Sequence, residues 1–164
     1  MKIIPLSEEY LDEAIALCNK VFPDDIKTEN PPELGFKESL FKEEYNWAWD
    51  KYYIARVEYY LLISEIGKVI GTTGVYQNTI EPESAWVGWF CVDPKERRKG
   101  YGEMLLNFTI QKAKGYNYRF LKLYTDPEES PEAKNLYKKL GFLLEKTDLD
   151  PSTGKEVTIL KKTL

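Results

Sequence analysis

The chain has 164 residues, 27 acidic and 23 basic, for a formal net charge of −4, a length that suits one domain over 1–164 with a core of its own. It contains no histidine, which excludes a serine or cysteine nucleophile activated by a His partner and removes the commonest general base and zinc ligand, so no metal is expected. The acidic balance argues against nucleic acid, no apolar run reaches the roughly 18 residues of a membrane span, and two cysteines make no disulfide framework. Residues 1–14, MKIIPLSEEYLDEA, turn acidic too early for a secretory leader. A reducing, cytoplasmic setting is therefore expected.

In chain order, residues 1–6 read as a short strand. Ser7 is placed to cap a helix, with Glu8 and Glu9 in its first turn. Leu11, Ala14, Ile15, Cys18, Val21 and Phe22 recur at helical spacing until Pro23 stops them. The polar, proline-rich stretch 24–36 reads as a loop and 37–56 as helix. Residues 57–65 and 68–76 are β-rich and joined by Ile66-Gly67, a hairpin. After a loop at 77–84, the run AWVGWFCV at 85–92 is apolar on both faces, as a central strand covered on both sides should be. Trp86 and Trp89 fall on opposite faces of it by alternation.

Residues 101–114 form a helix closed by Gly115, and 120–125 the next strand. Ser130 caps a further helix with Pro131 at its first position and Ala133, Leu136, Tyr137 and Leu140 as its buried stripe; Gly141 ends it. Residues 142–147 and 157–161 read as a last hairpin around Asp150-Pro151 and Gly154. The 85–125 segment is a βαβ unit, whose strands should be parallel with a right-handed crossover.

That unit contains CVDPKERRKGYGEMLL, residues 91–106, in which Lys95, Arg97, Arg98 and Lys99 precede Gly100 and Gly102 at a helix start. Free amides in the first helical turn, the helix dipole, two glycines and four cations make an anion site suited to a diphosphate. The P-loop pattern is absent, and a dinucleotide fingerprint would need glycine where Leu105 stands. On its own, such a basic turn is more often a solvated surface.

Arg97-x-x-Gly100-x-Gly102, following Val92-Asp93-Pro94, resembles the pyrophosphate loop of the GNAT acetyltransferase superfamily. SPEAKNLYKKLGF, residues 130–142, is similar to that family's second hallmark, a helix with Ala-x-x-x-Tyr that ends in Leu-Gly-Phe. The resemblance implies an α/β (α+β) fold: a mixed, mostly antiparallel twisted sheet, helices on both faces and one central parallel βαβ unit. It implies acetyl-CoA as co-substrate, inserted where the two parallel strands splay apart. The residues it implicates are Phe90, Cys91 and Val92 on the strand, with Phe90 and Val92 pairing the pantetheine amides. Arg97, Arg98, Lys99, Gly100, Tyr101, Gly102 and Glu103 form the loop, and Ser130, Ala133 and Tyr137 lie on the later helix. Ser130 stands where many members carry asparagine.

The same resemblance implies direct acetyl transfer to a primary amine of a small molecule or peptide, with Tyr137 as general acid toward sulfur. Where some relatives place a glutamate base this chain has Trp86, which leaves Glu81, Glu83, Asp126 or a water relay. Tyr76, Trp86, Trp89 and Tyr124 are expected to line the acceptor pocket, with 45–53 as a further wall. A homodimer accords with many relatives. The alternative is a non-catalytic acyl-CoA-binding or regulatory domain of the same fold.

Overall fold

The computed structural model describes residues 1–150 and 153–164. Strand β1 (Lys2–Pro5) leads through a short 3-10 turn into helix α1 (Leu11–Val21). Helices α2 (Pro32–Leu40) and α3 (Asn46–Lys51) follow, then strands β2 (Ile54–Ile63), β3 (Val69–Asn78), β4 (Ser84–Val87) and β5 (Cys91–Val92). Helix α4 (Tyr101–Gly115), β6 (Phe120–Thr125), α5 (Pro131–Lys139), β7 (Leu143–Leu149) and β8 (Glu156–Thr163) complete the order.

The eight strands form one sheet in the order β1-β2-β3-β4-β6-β8-β7, with β5 also paired to β3. Among the described residues only β4 and β6 run parallel; the other pairs are antiparallel. This is the mixed α/β architecture expected from the sequence. The alternation of β2 explains its two-sided burial. Val57, Tyr59, Leu61 and Ile63 pack with Leu11, Ala14, Leu17 and Cys18 of α1 and Phe36 of α2. Leu62 turns the other way, onto Ile70, Val92 and Leu105. A second core joins Val75, Ala85, Val87, Leu121 and Leu123 of the sheet to Leu106, Ile110 and Ala113 of α4, with Tyr137 and Phe142 closing it. Truncating a fully buried leucine such as Leu106 to alanine would cost about 2–5 kcal/mol. Inside this layer Thr73 and Thr109 satisfy each other at 2.6 Å, which ties α4 to β3.

Four expectations change. The first is the cap at Ser7: its side chain makes no capping bond, the residue precedes the 3-10 turn, and α1 begins only after Tyr10. Residues 24–36 are not all loop, because α2 begins at Pro32, a residue suited to a first turn. Residues 37–56 are not one helix: α2 ends at Leu40, α3 occupies Asn46–Lys51, and β2 has begun by Ile54. The expected strand 85–92 is interrupted at 88–90, where Trp89 takes φ 31°. The last hairpin is present as β7 and β8, with Gly154 at φ 68° in its turn; Pro151 of that turn lies outside the described residues.

Candidate active site

The interruption in the central strand opens the sheet. β4 pairs with β6 at Ser84–Phe120, Ala85–Leu121 and Trp86–Lys122, and no pairing of the two continues past that point among the described residues. Gly88 donates to Gly74 O at 3.0 Å, and β5 returns to β3 through Thr72–Cys91 and Gly71–Val92. Strand β6 meanwhile continues to Thr125 against β8. A wedge therefore separates 90–92 from 123–125. Asp93 N donates to Ile70 O at 2.9 Å. In an antiparallel ladder bonding alternates, so the N–H and C=O of Val92 turn from β3 into the wedge. Arg97 Nε reaches that carbonyl at 3.3 Å.

The bulge also reverses the side-chain parity. Ala85 and Val87 face α4, so strict alternation would send Trp89 there too. Instead Trp89 joins the α1–α2 core, with its ring 5.4 Å from Phe22, while Phe90 faces α4 and α5. Trp86 and Trp89 consequently share one face of the sheet, contrary to the simple alternation. Cys91 follows the same reversal. Its Sγ lies 3.7 Å from Cys18 Sγ and 3.3 Å from Thr72 Oγ1, so its side chain belongs to the buried core behind the wedge and not to the wedge itself. Both cysteines are free thiols.

The mouth of the wedge is the basic turn. Asp93 anchors it: its carboxylate accepts from Lys95 N at 3.0 Å and meets Lys20 at 3.2 Å and Lys68 at 3.9 Å. The Lys95 amide pulls this carboxyl below the usual range against the opposing push of burial, with Lys20 and Lys68 adding to the pull. Arg98 and Gly100 then adopt left-handed φ values of 65° and 82°. The first bond of α4 runs from Met104 N to Gly100 O at 3.1 Å, so the amides of Tyr101, Gly102 and Glu103 have no acceptor within their helix. A Cβ added at Gly102 would stand 3.4 Å from Leu136, 3.7 Å from Phe90 and 4.0 Å from Val92. Gly102 thus forms the floor between the opened strand and α5. Three ion pairs rim it: Arg98–Glu132 at 3.4 Å, Lys99–Glu96 at 2.6 Å and Lys139–Glu103 at 2.8 Å.

Helix α5 is the opposite wall. Ser130 Oγ accepts from Ala133 N at 3.2 Å, an N-cap that sets the helix start. Tyr137 is 6% exposed, with ring centroids 6.4 Å from both Phe90 and Phe142. Burial, and then the nearby Glu129 carboxylate, push its phenol well above the ordinary range, so it stays protonated at neutral pH. Asp126 is exposed and uses its carboxylate to accept from Glu128 N at 2.8 Å, in its own turn.

On the other face of the sheet, three of the four aromatic residues singled out from the sequence form a column. Tyr76 and Trp86 stack at 6.2 Å and 15°, Trp86 and Tyr124 at 4.6 Å and 17°. Lys122, the register partner of Trp86, is buried there and holds Glu81 at 3.2 Å and Glu145 at 3.1 Å. Glu81 is thereby committed to an ion pair. Glu83 pairs with Arg119 at 3.7 Å before β4 begins, at the closed end of the β4–β6 pair. Neither is placed as a free base. A further carboxyl, buried on the same side of the sheet, escaped the expectations from the sequence. Glu38 of α2 is 5% exposed, and burial raises it from the ordinary 4.5 to about 7. In FKESLFKEE it looks like one charge among many. The signal available was its spacing of three from Gly35, a residue that marks a close helix contact.

The sequence matches the profile of the acetyltransferase (GNAT) family over residues 24–142. No curated relative matches it. Among solved structures, a GNAT-family acetyltransferase from Staphylococcus aureus Mu50 is similar at 19% identity and a TM-score of 0.74, covering 99% of this chain and 98% of that one. A variant of spermidine N-acetyltransferase from Vibrio cholerae is similar at 17% identity and 0.70, covering 99% and 95%. An IAA acetyltransferase from Bacillus cereus ATCC 14579 is similar at 19% and 0.66, covering 99% of each. Likeness at such identities speaks for the fold; the profile match, which spans most of the chain and both hallmark segments, speaks for the family. The chain therefore belongs to the acetyltransferase (GNAT) family.

Proposed function

We propose that the chain transfers the acetyl group of acetyl-CoA directly to a primary amine of a small molecule or peptide. The observation that carries this reading is the wedge beyond Trp86–Lys122, with Val92 backbone groups turned into it and the free amides of α4 at its mouth. The residues suit the co-substrate. Phe90 and Val92 can pair with its pantetheine amides as an added strand would. The amides from Arg98 to Glu103, with Arg97 and Lys99, can hold the diphosphate. Gly102 leaves room where a side chain would fill the floor. Arg98 must leave Glu132 to contribute, and an exposed pair of that kind is worth only about 0–1 kcal/mol.

When bound, acetyl-CoA supplies an acetyl group already activated as a thioester. The chain's own part is to bind it, align the amine and manage protons. Tyr137 holds a proton for the departing sulfur; since a thiol pKa is about 8.5, that help is modest. The Tyr76–Trp86–Tyr124 column offers the acceptor an apolar wall. The test is thiol release from acetyl-CoA across a panel of primary amines, beside calorimetric binding of CoA. Turnover with at least one amine is expected. Binding without thiol release for every amine would refute the enzyme and favour a regulatory acyl-CoA-binding domain.

A further inference from the structure

Among the described residues, the α1–α2 side of the sheet buries one carboxyl that has no cationic partner. Glu38 Oε2 is inaccessible and has no hydrogen-bond partner, and no ammonium or guanidinium pairs with it among the described residues. Other carboxyls, whether buried like Asp93 or only partly covered, are treated differently. Asp93 has Lys20, Glu145 has Lys122 and Lys161, and Glu58 has Arg56 with the hydroxyls of Tyr60 and Tyr116. An unpaired buried carboxylate is strongly disfavoured unless something else arrives to meet it.

Its position says what arrives. One turn earlier on the same helix, Gly35 abuts the bulge: an added Cβ would lie 2.8 Å from Trp89 Nε1 and 3.0 Å from Tyr59 Oη. Helix α2 thus rests on the point where the sheet opens. Residues three apart share a helix face, so Glu38 continues that contact. The titratable groups facing it are Tyr59 from β2 and Tyr76 from β3, whose phenols burial keeps neutral. Trp49 of α3 closes the back by donating Nε1 to Glu38 O at 3.0 Å. Tyr76 in turn stacks on Trp86, so Glu38 and the aromatic column belong to one wall.

We infer that Glu38 is the proton acceptor for the incoming amine, an assignment that rests on the acetyl-transfer reading above. The acceptor ammonium gives one proton to the Glu38 carboxylate. The freed lone pair forms the C–N bond to the acetyl carbon as the C–S bond breaks, and sulfur leaves with its electron pair. The nitrogen's remaining surplus proton passes to sulfur by way of Tyr137 or water, and Glu38 returns its proton to solvent. A carboxyl near 7 is better matched to this task than an ordinary one, while still largely ionised in mildly alkaline solution.

The experiment is the pH–rate profile of the wild type and Glu38→Gln with acetyl-CoA and an alkyl amine. The wild type should show an acid limb near pH 7. The variant should lose that limb and about 10²-fold or more in kcat, with CoA affinity by calorimetry within twofold of wild type. An aromatic amine, already neutral at pH 7, should shrink the deficit below about tenfold. Glu38→Asp should recover part of the rate. Infrared titration of the protein without co-substrate gives a readout independent of turnover: a carboxyl band titrating near 7, absent in Glu38→Gln. An active wild type whose rate and acid limb survive Glu38→Gln would overturn the role of Glu38 alone. A wild type that binds CoA but releases no thiol with any amine would overturn the acetyl-transfer reading, and Glu38 with it.

Discussion

Replacing Glu38 with glutamine keeps the side chain's size and removes only its charge, so the effect on stability should track pH in a direction that can be worked out. In the folded chain this carboxyl titrates at about 7, against 4.5 when unfolded, because burial penalises its charged form. A carboxyl raised by folding contributes its full stability below the unfolded value, near pH 4.5, and loses it as pH climbs through about 7. At about 1.4 kcal/mol per pKa unit, the wild type gives up roughly 3 kcal/mol across that window. Glutamine has no proton to lose and stays flat. The variant should therefore match the wild type near pH 4.5 and exceed it by about 3 kcal/mol at pH 8, or roughly 6–12 °C in Tm for a chain of this size. Thermal and urea unfolding of both proteins at pH 4.5, 6, 7 and 8 measures the difference, and groups common to both cancel. A gap that stays constant with pH, or that favours the wild type at pH 8, would refute the reasoning.

The two loop glycines should separate strain from space: Gly100→Ala, at φ 82° with no neighbour within 4 Å, should lower stability by about 1–2 kcal/mol. Gly102→Ala, helical and in ordinary contact with Leu136, should hold stability or raise it by up to about 1 kcal/mol while weakening CoA binding, both read by thermal unfolding and calorimetry. Tyr137→Phe should leave CoA affinity unchanged and lower kcat by about tenfold in steady-state kinetics. Asp93→Asn should cost about 1–3 kcal/mol at pH 6. Because the Asp93 carboxyl is held below its ordinary 3.8, that difference is present above about pH 4 and should fade in unfolding experiments as pH drops below it.

The wedge's far wall and mouth were legible in the sequence because local rules decide them. Pro131 and Ser130 start α5, the stripe Ala133, Leu136, Tyr137 and Leu140 orients it, and Gly100 and Gly102 mark the helix mouth. The acceptor side was not legible, because long-range packing decides it. Helix α2 contains Gly35, a poor helix residue by propensity. Its place in a helix depends on contact with Trp89 and Tyr59, which lie 54 and 24 residues further along the chain. Lys122 alternates with apolar residues in FLKLYT, a pattern that says nothing of the carboxylates Glu81 and Glu145 that hold it in the sheet. Glu38 carried no local mark beyond its spacing of three from Gly35. Its significance comes from what does not surround it, and a sequence does not display absent partners.

The bulge at 88–90 connects the two halves of the site. Its parity reversal sends Phe90 toward Tyr137 and Trp89 toward α2, so one added residue in a strand equips both faces at once. The same irregularity takes 90–92 out of register with β6 and opens the wedge. On the α2 side, Tyr59 lies against Gly35, Gly74 and Gly88, where added Cβ atoms would come within 3.0, 2.6 and 2.9 Å of its side chain. A larger residue at any of the three would push Tyr59, and with it α2, away from the bulge. The glycines are thus spent on bringing Glu38's helix to the strand that holds Val92. In that arrangement the strand proposed to pair with the co-substrate and the carboxyl proposed as proton acceptor are positioned by a single piece of backbone, and loosening either one should be felt at the other.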